Sequence, residues 1–257
     1  MANAILGFTN LVDAAGTVLS ASNPVSGLDA ANLSTPIVQQ VYRAQSGNGW
    51  FQADFGASKS IGVVAFECWR NGLVIGAADT VRLQLDAVTP GAGAVYDSGA
   101  GASSIVPAFG YWLAFFATPK TARYVRITIA SAASYFQVGR LWAGPALQPT
   151  RNFAYGWGRE WDDASVVTKA PKSGIRIRNL GPKFRTLSIA FNALASADAD
   201  SVEDGDVLTG ISAQMLVCID PAAPARKTII GTPAKASPIV QAQFPVFQKA
   251  YTIEEDL

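Results

Sequence analysis

Between Ile61 and about Ile129 apolar residues recur at two spacings, and both predict strands. IGVVAF (61–66) is a continuous apolar run, the pattern of a strand covered on both faces. TVRLQLD (80–86) alternates, with Val81, Leu83 and Leu85 on one side and Arg82 and Gln84 on the other. RYVRITI (123–129) does the same, setting Val125, Ile127 and Ile129 against Tyr124, Arg126 and Thr128. TPGAG, DSGAGASS and TPKTA lie between these runs and supply turn residues with little to pack. Such a series predicts an antiparallel sandwich or jelly roll.

After the apolar run VGRLWA, the segment GPALQPTR (144–151) carries a glycine and two prolines, which predicts a boundary between domains at 1–145 and 146–257. Beyond it IRIR, TLSIAF, MLVCI, KTII and YTIEE read as strands. One helix is predicted from Ser196 to about Thr209, with Ser196 as cap and Asp198 and Asp200 at the positive end of the dipole, although Gly205 speaks against it. The expected class is mainly β: a sandwich followed by an α+β domain.

Composition narrows the chemistry. With 49% hydrophobic and 15% charged positions among 257 residues, the chain has ample core and is not a disordered protein. Twenty basic residues against 19 acidic leave a net charge of +1, which gives no global attraction to nucleic acid or an anionic membrane. The absence of histidine removes Ser-His-Asp and Cys-His mechanisms and His-ligated metals. Cys68 and Cys218 sit in apolar runs and read as buried free thiols. No glycine-rich phosphate loop is present. DADSVEDGD (198–206) places Val202 and Glu203 where a calcium loop needs an oxygen ligand and a glycine, so it reads as a solvated helix face. Glu160, Asp162 and Asp163 read as surface charge rather than a glycosidase pair. No catalytic residue, metal or cofactor is expected. The N-terminus lacks a basic segment followed by an apolar run, and no stretch approaches a membrane span, so synthesis in a cytoplasm without membrane insertion is expected.

Of the six tryptophans, Trp69, Trp112 and Trp142 lie in strand-like sequence and read as core. Tyr155, Trp157 and Trp161 crowd into YGWGREWDD, a glycine-flexed and loop-like stretch; packing under their own domain and contact with another subunit both remain open.

WFQADFG (50–56), SIGVVAF (60–66), RYVRITI (123–129) and VGRLWAG (138–144) resemble, in order and spacing over about residues 1–145, the discoidin or F5/8 type C family. The resemblance implies a galactose-binding-like β-sandwich and does not by itself imply a sugar ligand. Arg140 stands where that family has a glutamate, and the cysteines that often join its termini are missing, which fits a chain not matured in an oxidising compartment. Taken whole, and through PTRNFAYGWGREWDD (149–163), the chain also resembles minor tail or baseplate proteins of long-tailed bacteriophages. That resemblance implies a non-enzymatic virion subunit whose C-terminal domain has a tail-tube-like fold. It further implies a homo-oligomeric ring at the distal end of the tail, with other tail proteins as partners. Tyr155, Trp157 and Trp161 are then candidates for the subunit interface. The rival reading is a carbohydrate-binding module or receptor-binding adhesin that touches a surface glycan, with Trp50, Asn71 and Tyr111 as candidate contacts.

Overall fold

A computed structural model describes residues 3–68, 75–169 and 175–256. In chain order the strands are β1 (Ile5–Gly7), β2 (Val18–Ala21), β3 (Tyr42–Arg43), β4 (Asn48–Glu67), β5 (Thr80–Asp86), β6 (Tyr96–Asp97), β7 (Gly101–Ala102), β8 (Tyr111–Ala130), β9 (Gln137–Val138), β10 (Arg140–Gly144), β11 (Gly158–Asp163), β12 (Val166–Lys169), β13 (Arg176–Asn179) and β14 (Lys183–Leu194). Helix α1 (Ser196–Thr209), β15 (Met215–Cys218), α2 (Pro224–Lys227), β16 (Thr228–Pro233), β17 (Val240–Gln243) and β18 (Val246–Glu255) complete the chain. One sheet runs β10-β4-β8-β5-β6, with β2 on β4 and β7 on β5; the other runs β1-β15-β16-β18-β14-β11, with β17 on β18.

The long strands β4 and β8 change register part-way, so that Asn48–Asp54 pair with Tyr124–Ala130 and Lys59–Glu67 with Tyr111–Ala122. Their two halves serve different layers. Phe51, Ala53, Val125, Ile127 and Ile129, with Val81, Leu83 and Leu85 of β5, face Val64, Phe66, Leu141 and Ala143 across the first core. Val63, Ala65, Leu113 and Trp142 point the opposite way, onto Ile5, Leu216, Cys218 and Ile230 of the second sheet. The far face of that sheet buries Leu6, Leu187, Ile189 and Ile253 against Ala199 and Val202 of α1. IGVVAF is therefore apolar throughout because it belongs to a middle layer with a core on each side.

The mainly β class and the alternation of β5 and β8 are as the sequence predicts. Four details differ. TPKTA lies within β8 rather than in a turn, with Lys120, Thr121 and Ala122 paired to Ile61, Ser60 and Lys59. Strand β1, from the N-terminal segment, pairs with β15 of the second sheet, and Leu6 and Leu147 exchange backbone hydrogen bonds of 2.8 Å. GREWDD forms strand β11 on the edge of that sheet rather than a loop. Helix α1 spans the expected residues but is not capped by Ser196, and its acids are not all solvated: Asp198 accepts from the Thr150 N–H at 2.9 Å and hydroxyl at 2.6 Å, and Asp206 from the Tyr251 hydroxyl at 2.7 Å. Gly205 is tolerated in α1 because Phe8 lies flat on it; a Cβ there would stand 2.4 Å from the ring.

Arg140 is buried and joins the layers, donating to Asp13 at 2.7 Å and to Gln214 at 2.9 Å. Cys68 and Cys218 are both buried and free, and burial pushes both thiols up, so neither is poised to react.

Candidate interaction surface

The pairing of β11 with β14, Gly158 opposite Ser188 through Asp163 opposite Lys183, resumes after a short irregularity as Val166 opposite Asn179 through Lys169 opposite Arg176. The irregularity is tied by Ala164 N–H to the Pro182 carbonyl (3.1 Å) and Gly181 N–H to the Ser165 hydroxyl (2.8 Å). The result is one antiparallel ribbon whose outer part, β12 and β13, has left the sheet. All eight residues of these two strands are exposed, Val167 at 59% and Ile177 at 60%, and Leu180 behind them reaches 82%. IRIR alternates as a half-buried strand should, yet among the described residues neither face of the strand is covered. Cross-strand pairing puts Val167, Lys169, Arg176 and Arg178 on one face of the arm and Val166, Thr168, Ile177 and Asn179 on the other.

The three aromatic candidates separate. Tyr155 is fully exposed in the turn made by Gly156, whose φ of +94° favours glycine. Trp157 is part-buried on the helix-side core, edge-on to Phe153 with centroids 6.1 Å apart, and the Lys227 ammonium lies 5.1 Å from its ring. Trp161, on edge strand β11, is 49% exposed and tilts toward Phe109 at 6.0 Å. Phe109 is ringed by the guanidinium groups of Arg159, Arg185 and Arg226 at 5.6, 5.1 and 5.4 Å. Burial, then the charges of Arg185 and Arg226, lower the pKa of Arg159.

The glycan candidates do not converge. Trp50 opposes Thr128 and Tyr111 opposes Glu67, at opposite ends of the β4–β8 pair. The Arg126 guanidinium covers Trp50 at 4.1 Å. Tyr111 is corrected outright: it is fully buried between the sheets, donates to Glu255 at 3.0 Å, and has a pKa raised well above the usual tyrosine range by burial and then by Glu255. Asn71 lies outside the described residues, as does Trp69. A cleft of about 450 Å³ opens beside Tyr111, which lines it with Ser103, Ser104, Val106 and Trp112, together with Ala222–Arg226.

Among the described residues no group of three or more Cys, Asp or Glu side chains is placed to hold a metal, and no helix is long and apolar enough to cross a membrane. No family model matches the chain, and no curated protein does. Solved structures do. The lectin domain of lectinolysin in complex with Lewis b antigen aligns over 52% of this chain and 95% of its own, at 19% identity and a TM-score of 0.43. A Streptococcus pneumoniae fucose-binding module aligns over 53% and 94%, at 12% identity and 0.42. The family 32 carbohydrate-binding module of Clostridium perfringens NanJ, solved with galactose, aligns over 56% and 99%, at 9% identity and 0.42.

What the sequence missed is the arm. Its signal was β-type alternation carried by arginine at every second position, which reads equally well as the outer face of a packed strand.

Proposed function

We propose that the chain is a non-catalytic structural subunit that joins copies of itself into a ring at the distal end of a long-tailed bacteriophage tail. The observation that carries the assembly reading is the β12–β13 arm, a two-stranded ribbon with no core of its own and several exposed branched apolar side chains. An isolated ribbon of this kind is marginal in water and becomes ordered by packing on something else. Tyr155 and Trp161 extend the exposed apolar surface at the root of the same ribbon. The bacteriophage context comes from the resemblance of PTRNFAYGWGREWDD, and other tail proteins are the further partners it implies. Electron microscopy of the purified full chain tests the reading: closed rings support it, and single particles the size of one chain overturn it.

A second reading is a carbohydrate-binding module. It is favoured by the 450 Å³ cleft, where Ser103, Ser104, Trp112 and Arg226 line one opening. That is the mixture of aromatic wall and polar edge which holds a sugar. Titration with fucose, galactose and Lewis b oligosaccharide decides it. Saturable binding lost in Trp112→Ala, with the chain monomeric, supports the module, and no binding to any of the three removes it.

A further inference from the structure

Resting on the assembly reading, we infer that the arm of one copy docks on the exposed face of α1 of the next copy. The outer side of α1 carries Asp200, Glu203, Asp204, Val207, Leu208 and, just past its end, Ile211, all exposed and spaced i, i+3, i+4, i+7, i+8 and i+11. That spacing is one continuous helical stripe, acidic along its first half and apolar along its second. Val207 is 81% exposed and Leu208 68%, on a helix whose opposite side is fully engaged with the core. Among the described residues, Asp200, Glu203 and Asp204 meet no basic side chain, and Lys169, Arg176 and Arg178 meet no carboxylate. Each surface therefore offers three unpaired charges opposite in sign to the other's.

The spacings also agree. On the basic face of the arm, two residue positions separate the Val167–Arg178 pair from the Lys169–Arg176 pair. Two strand positions span about 7 Å. Asp200 to Asp204 covers about 6 Å along the helix. With the tip of the arm pointing toward the N-terminus of α1, Lys169 and Arg176 lie over Asp200 and Glu203, Arg178 over Asp204, and Val167 over Val207 and Leu208. The opposite orientation puts Val167, with its partner Arg178, among the acids and sets the Lys169 and Arg176 charges over the apolar end. The contact joins two different patches, so it is heterologous and propagates around a ring or along a filament.

Charge reversal tests this. One variant carries Lys169→Glu, Arg176→Glu and Arg178→Glu; the other carries Asp200→Lys, Glu203→Lys and Asp204→Lys. All six positions are exposed, so circular dichroism and the unfolding midpoint should match wild type. Each variant alone should lose assembly in sedimentation velocity, with the dissociation constant raised at least ~100-fold. An equimolar mixture of the two should assemble again, because each arm then meets a helix of opposite sign. If wild type assembles and both variants assemble equally well, the docking is overturned while the assembly reading stands. If wild type is a monomer at every concentration, both fall. Failure of the mixture to assemble when each variant alone is impaired also overturns the docking.

Discussion

Arg185 and Glu255 form the driest ion pair in the described structure, with side chains 1% and 0% exposed, at the level where the second sheet meets the sandwich. Glu255 accepts the Arg185 Nε–H at 3.0 Å, the Arg185 backbone N–H at 3.0 Å and the Tyr111 hydroxyl at 3.0 Å; Arg185 also donates to the Thr228 carbonyl at 2.9 Å. Changing Arg185→Met strips the cation from a carboxylate that water does not reach. Leaving one buried charge uncompensated costs about 3–5 kcal/mol. With a urea slope of about 3 kcal/mol per M, the unfolding midpoint should fall by about 1–1.7 M. Glu255→Leu added to Arg185→Met should recover much of the loss, because a well-packed apolar pair in place of a buried ion pair is often neutral. Urea titrations of the full chain followed by tryptophan fluorescence and circular dichroism provide the assay, and both probes should report a single transition, since the core around Trp142 belongs to both sheets. A loss below about 1 kcal/mol would mean that water reaches the pair. Two transitions, only one of them moved by the substitution, would mean that the sandwich and the second sheet unfold as separate units.

Gly205→Ala improves helix propensity by ~1 kcal/mol but drives a Cβ to 2.4 Å from the Phe8 ring, so the net effect should be destabilising; a raised unfolding midpoint would contradict the packing of α1 on Phe8. Trp157→Ala should lower the midpoint, because Trp157 packs edge-on to Phe153 over the helix-side core, whereas Tyr155→Ala should leave it within error; equal effects would show that the two aromatics share one environment. Hydrogen bonding to Arg82 lowers the Asp97 carboxyl to about 2, so its contribution is complete above the unfolded value of about 3.9 and is lost as pH falls through about 2. The midpoint difference between wild type and Asp97→Asn should accordingly be flat from pH 7 to 5 and shrink between about pH 4 and 2; a difference that vanishes near pH 6 would refute the assignment.

The sandwich was legible because a two-residue period survives burial on one face, and β5 and β8 keep it. IGVVAF was legible as doubly covered, but not what covers its second face, since Val63 and Ala65 meet Leu216 and Ile230 far along the chain. Tyr111 as a candidate glycan contact failed for the same reason: the second sheet that closes over it comes from far along the chain. Helix α1 was found despite Gly205, whose cause, the Phe8 ring, lies almost 200 positions earlier in the chain. IRIR was legible as a strand, but not that the strand would stand exposed. Alternation records which side chains share a face, not whether that face meets anything in its own chain.

Self-assembly is decided by sedimentation velocity of the purified full chain across a concentration series. A discrete species at a whole-number multiple, two or more, of the 27.0 kDa chain, dissociating as salt is raised, is expected. A single species at 27.0 kDa over the whole series would contradict it.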